Sequence, residues 1–143
     1  MSSPTRRVRA NVAALLKAHI PEIAIHDCFP HMQVTPPCIV MQQTYGSTRE
    51  LGMGEVKDTA FKGHKVRLIF QFDVYHEDPK RRDDLADRIL FELWRNRHIL
   101  RQVGVSFEPA YRIADMPSEE VGARIYRKSI DIPFEVQMTA PLS

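Results

Sequence analysis

Residues 65–75 read Lys-Val-Arg-Leu-Ile-Phe-Gln-Phe-Asp-Val-Tyr, and the fold turns on them. Val66, Leu68, Phe70, Phe72 and Val74 hold every second position, while Lys65, Arg67, Gln71 and Asp73 point the other way. A period of two in β-branched and aromatic residues predicts a strand with one buried face. Just beyond it, Asp78-Pro79 offers an N-cap followed by proline at the first helical position. Leu85, Ile89 and Leu93 then form one row, and Ala86, Leu90 and Trp94 the next, so a helix with a wide apolar face is expected. Running to Gln102, it would span roughly 36 Å, about the length of the strand before it.

Upstream, Cys38-Ile-Val-Met-Gln-Gln-Thr44 reads as a second buried strand, and Ile23 and Ile25 as a short one. The stretch from Cys28 to Pro37 carries Pro30, Pro36 and Pro37, which cannot donate to a ladder, so the chain is expected to turn there. Ser3-Pro4 predicts the start of another helix, with Val8, Val12, Leu15, Leu16 and His19 along one stripe and Pro21 ending it. Downstream, Val103, Val105, Phe107, Tyr111 and Ile113 alternate, with Pro109 marking an edge or bulge. After a turn at 116–122, Tyr126, Ile130, Ile132, Phe134 and Val136 share one face of a last strand, and Arg127, Asp131 and Glu135 the other. The expected fold is α+β, in the order αβββαββ. It is a mostly antiparallel sheet of about four or five strands with two helices packed on one face. Residues 1–143 form a single domain. Residues 45–64, with four of the six glycines, are expected to be a long loop.

The chain has 143 residues, enough for one domain with a sizeable core. With 43% hydrophobic and 27% charged residues, the composition excludes a long disordered chain. No apolar run approaches a bilayer span, and the N-terminus lacks the apolar stretch of a secretory signal. Two cysteines, Cys28 and Cys38, suggest a reducing compartment. A net charge of +2 does not announce a nucleic-acid binder. Arginine outnumbers lysine 14 to 6, favouring fork-like contacts, and residues 1–21 hold Arg6, Arg7, Arg9 and Lys17 and no acid at all.

Few constellations could carry chemistry. His26, Cys28, His31 and Cys38 are a valid set of zinc ligands by type, but their spacing matches no common finger or ribbon. Glu55-Val-Lys57 with Asp73 could be half of a metal-dependent nuclease site, except that such a site needs rigid strands and Glu55 lies in the glycine-rich stretch. The charges at 77–88 fit a solvated helix face, with Asp84 and Arg88 as i,i+4 partners. No phosphate loop, nucleophile elbow or zinc-protease motif occurs. Phe70 and Phe72 share their face with Val66, Leu68 and Val74, so they belong to a core rather than to a base-stacking surface. No catalytic, cofactor or metal residue is expected.

The order of these elements resembles a family. A basic first helix and a short strand precede the proline-flanked Thr35-Pro-Pro-Cys-Ile-Val-Met-Gln-Gln43. The glycine-rich stretch, the long strand from Val66 to Tyr75, the helix through Arg82-Asp-Asp-Leu-Ala-Asp-Arg-Ile-Leu90, and closing strands ending Ser129-Ile-Asp-Ile-Pro-Phe-Glu-Val136 follow. This plan is similar to that of the tail terminator, or tail completion (neck), proteins of long-tailed bacteriophages. The resemblance implies a non-enzymatic virion protein, assembled in the host cytoplasm, whose usually hexameric ring caps the tail tube and stops its polymerisation. Its implied partners are further copies of itself, the tail tube protein, the head–tail connector or neck protein and, in contractile tails, the sheath. DNA passes through the lumen without sequence-specific binding, and no membrane or cofactor is involved. On this expectation the assembly contacts are Arg6, Arg7, Arg9, Tyr45, Arg49, Leu51, Met53 and Phe61. The alternative from a different class is a small nucleic-acid-binding or processing domain that uses the basic first helix.

Overall fold

The computed structural model describes residues 3–27, 35–50, 61–116 and 125–141, with backbone alone for 48–50, 61–64 and 138–141. The elements are α1 (Pro4–His19), β1 (Ala24–His26), β2 (Cys38–Glu50), β3 (Phe61–His76), α2 (Pro79–Arg95), α3 (Arg97–Gln102), β4 (Val105–Phe107), β5 (Arg112–Met116) and β6 (Tyr126–Pro141). The fold is α+β, built on a mostly antiparallel six-stranded sheet. Strands run β1-β2-β3-β6-β4, with β5 also on β6. Among the described residues only β1 and β2 are parallel, paired at Ala24–His26 with Cys38–Val40.

Both long helices begin as the sequence predicts. Ser3 accepts a hydrogen bond from the Arg6 N–H at 3.4 Å, Asp78 accepts one from the Lys80 N–H at 2.9 Å, and a proline follows each cap. Val8, Val12, Leu15 and Leu16 of α1 and Leu85, Ala86, Ile89 and Leu93 of α2 are buried. They join Ile39 and Met41 of β2, Val66 to Val74 in alternation on β3, and Ile130, Ile132, Phe134 and Val136 of β6 in one core. Phe134 sits at its centre, with Phe70, Phe72 and Phe107 rings 5.9, 6.2 and 5.9 Å away.

Four expectations are corrected. First, the expected loop at 45–64 is strand at both ends: β2 continues through Tyr45 to Glu50, and β3 begins at Phe61. The ladder is carried by backbone groups, so it tolerates the polar and glycine residues that hide the period. Gly46 fits because it lies against β3. A Cβ there would meet Gln43 Nε2 at 3.0 Å and Leu68 Cδ2 at 3.2 Å. Residues 51–60, including Leu51, Met53, Glu55 and Lys57, lie outside the described residues.

Second, the helix expected to run to Gln102 breaks at Asn96, giving three helices in place of two. The Asn96 side chain donates to the Glu92 carbonyl at 2.9 Å and to the Glu92 carboxylate at 3.1 Å, competing with the helical pattern. Gly104, at φ +77°, then ends α3.

Third, the strand expected around 103–113 is two short ones, so the order is αβββααβββ. They lie end to end along one edge of β6, with β4 opposite Phe134–Val136 and β5 opposite Arg127–Asp131. Pro109 falls between them, and the Glu108 and Tyr111 N–H groups continue the pairing to the Pro133 and Asp131 carbonyls. Fourth, Tyr111, Ile113 and Trp94, counted with the apolar rows, are more than half exposed.

Candidate functional site

The candidate contacts among the described residues come from α1, β2 and β3. Arg6 is exposed on the first turn of α1. Arg7 is half-buried, with its guanidinium beside Gly104, where a Cβ would lie 3.6 Å from Nη1. Arg9 is turned inward: it donates to the Asp27 carbonyl at 2.8 Å and stacks over the Phe70 ring at 5.5 Å. It therefore acts as a brace between α1, the chain after β1, and β3. Tyr45 is exposed on β2 directly after a register shift between Gln43 and Tyr45. Arg49 and Phe61 lie in the paired strands, opposite Lys65 and Pro141. Leu51 and Met53 lie outside the described residues.

What the sheet builds instead is a buried polar face opposite the helices. Pairing sets Val40, Asp73, Ser129 and Ala114 in one row across four strands, and Gln42, Gln71, Asp131 and Arg112 in the next. Asp73 is fully buried and accepts from Gln42 Nε2 at 3.2 Å, Gln71 Nε2 at 2.9 Å and Arg127 Nε at 3.3 Å. The Arg127 guanidinium in turn stacks over the Tyr75 ring. Asp131 is almost as buried but less well compensated. Arg112 reaches it only at 3.9 Å, and burial, aided by the Asp73 charge, raises its pKa above the usual carboxylate value. Between the two acids, Ser129 Oγ is buried and has no hydrogen-bond partner among the described residues. The alternation had put Asp73, Arg127 and Asp131 on this face. It gave no sign that the acids would be buried, because burial depends on cross-strand neighbours.

A second charge network fastens the helix layer to the sheet edge. Arg82, nearly buried, meets Asp83 at 3.0 Å and Asp115 of β5 at 3.2 Å, and lies over the Tyr126 ring. Lys128 of β6 meets the same carboxylates at 2.7 and 3.4 Å. The Lys128 hydrogen bond holds Asp83 below its usual pKa, and Asp83 in return raises that of Lys128. The charges at 77–88 are thus only partly a solvated face. Arg88 likewise does not pair with Asp84; it binds Glu22 and donates to the His19 carbonyl at 2.9 Å, tying α2 to the end of α1.

None of this is arranged for the chemistry weighed above. Asp73, the imagined nuclease acid, is occupied by three donors. Burial pushes the Cys38 thiol up to about 11, so it is a poor thiolate ligand, while Cys28 and His31 lie outside the described residues. Among the described residues no group of three metal-binding side chains comes together, and no helix is long and apolar enough to cross a membrane.

What remains outward is apolar surface and open sheet edge. Tyr45, Phe91, Trp94, Tyr111 and Ile113 each keep more than half their surface exposed. Beyond Val40, β2 pairs only with β3 among the described residues. Among the described residues, the helix-facing core side chains of β3 run from Val74 to Val66. The three strands continue past them, still paired, to Glu50, Phe61 and Pro141. That arm extends roughly 16 Å. No protein-family model matches the chain, and no curated protein matches it.

Proposed function

We propose that this chain is a non-catalytic, ring-forming subunit of a virion, a tail terminator that caps the tail tube, ends its growth and offers the surface for head–tail joining. The observation that carries this is the arm formed by β2, β3 and β6. The three strands stay paired from Val66 to Phe61, and beyond Val40 the β2 edge has no further strand partner among the described residues. An open strand edge is prone to pair with other chains, which suits a subunit meant to be completed by its neighbours. Head-to-tail contacts of this type close into rings when the rotation permits. The α+β plan and the order of its long strands support the same reading. The inward turn of Arg9 takes one cation away from those the first helix could offer to phosphates.

Electron microscopy of the purified protein, alone and mixed with tail tubes, tests the proposal. Closed rings, usually of six, and capped tubes are expected. The double substitution Leu51→Ser with Met53→Ser should weaken assembly while leaving the thermal transition of the subunit in place. Light scattering that finds only monomer across micromolar concentrations, with and without tubes, would overturn it.

A further inference from the structure

We infer that a second copy of this chain docks on the exposed ridge of α2, in a two-fold antiparallel contact centred on Phe91. Asp84, Asp87, Phe91, Trp94 and Arg95 are exposed on that helix, opposite the side that buries Leu85, Ala86, Ile89 and Leu93. Their spacing of three and four makes one continuous ridge. Phe91 and Trp94 keep 58% and 59% of their surface in solvent. Arg97 stacks on the Trp94 indole at 4.2 Å and donates to its carbonyl at 2.8 Å, so this anchor is already held in place.

Charge selects the occupant. In a two-fold contact, a residue a given number of places before Phe91 meets the residue the same number after it. Asp87 lies four before and Arg95 four after; Asp84 lies seven before and His98, exposed on α3, seven after. Arg88, between the acids and Phe91, is tied to Glu22 and the His19 carbonyl. Antiparallel copies therefore set Asp87 against Arg95 twice, around a pair of Phe91 rings and with both Trp94 anchors close by. Parallel copies would set like against like. A membrane surface fits the ridge less well, since Asp84 and Asp87 would face anionic head groups.

The two-fold contact goes beyond the ring proposal and is separable from it. In the full chain carrying Cys28→Ser, Phe91→Cys should give a disulfide-linked dimer under mild oxidation, in at least tenfold higher yield than Lys17→Cys on the exposed face of α1. The remaining thiol, Cys38, is buried. Adding Asp87→Arg should abolish the excess, and adding Arg95→Asp to that should restore it. Sedimentation of the native chain should show mass rising with concentration, and Phe91→Glu should lessen that rise while leaving any ring-sized species in place. Equal yields for the two cysteines, no restoration by the charge swap, or a rise in mass unaffected by Phe91→Glu would each overturn the contact. Head-to-tail ring contacts do not bring residue 91 onto itself. Rings without the 91–91 link defeat this inference alone, and the link without rings defeats only the tail reading.

Discussion

Phe72 and Asp73 are neighbours on β3, both with no exposed surface, and each is buried by different means. Phe72 enters the helix-covered face, where burial alone is favourable and neighbours need only fit. Asp73 enters the opposite face, where burying a carboxylate is tolerated only because three donors converge on it. The apolar face gains stability from volume. The polar face gains little net stability, but it fixes which residues stand opposite which, since a register slip would strand every one of its charges.

The largest effect is expected on the apolar face. Phe134 touches three other rings, and Phe134→Ala should cost about 3–5 kcal/mol of unfolding free energy. Chemical denaturation with the slope held equal to the parent measures it. A loss below that of Asp73→Ala would reverse the ranking of the two faces. For Asp73→Ala, about 1–3 kcal/mol is expected, because Gln42, Gln71 and Arg127 lose their common acceptor while Arg127 can still reach water. Asp73→Asn keeps the shape and part of the acceptor, and should lose less.

The same comparison explains what was legible in the sequence. Hydrophobic period two marked the core positions of β3 and β6, and the Ser-Pro and Asp-Pro pairs marked both long helix starts. Each of these signals is local. The strand ends at Tyr45–Glu50 and Phe61–His64 were hidden, because a backbone ladder leaves no hydrophobic signature. The break at Asn96 depends on an i,i+4 side-chain bond that looks like ordinary helix surface. The Arg82–Asp83–Asp115–Lys128 network and the Asp73 cluster join residues from distant parts of the chain. Without knowledge of the pairing, their partners could not be named. Of the assembly candidates, Arg6 and Tyr45 are exposed, whereas Arg9 is half-buried and bonds within the fold.

Asp131 sharpens the contrast through pH. Its folded pKa is raised by burial, so the folded state holds this proton more tightly than the unfolded chain does. That contribution favours folding fully below the unfolded carboxylate value near 3.8 and is lost as pH rises through the raised folded value. Asp131→Asn should therefore stabilise the protein at neutral pH, with the advantage shrinking as the pH falls toward the unfolded value. Asp83 has the opposite sign: its lowered pKa contributes stability above 3.8 that is lost on acidification. Thermal unfolding of Asp131→Asn and Asp83→Asn across this range should give curves that diverge from the parent in opposite directions at neutral pH. Parallel curves for the two would contradict the assignment of Asp131 to a poorly compensated site.

The smallest effect belongs to Ser129, which lies between Asp73 across the sheet and Asp131 along its own strand. Its Oγ is buried without a partner among the described residues, so the hydroxyl carries a desolvation cost with no hydrogen bond to offset it. Ser129→Ala removes one oxygen and leaves a void smaller than a methylene, so little packing is lost. The expected change is a gain of up to about 1 kcal/mol, seen as a higher denaturation midpoint at unchanged slope. Ser129→Val, which adds bulk where the two carboxylates crowd, should instead destabilise. If Ser129→Ala costs stability, the hydroxyl is bonded in the folded protein, and the polar face would be as fully satisfied at Ser129 as it is at Asp73.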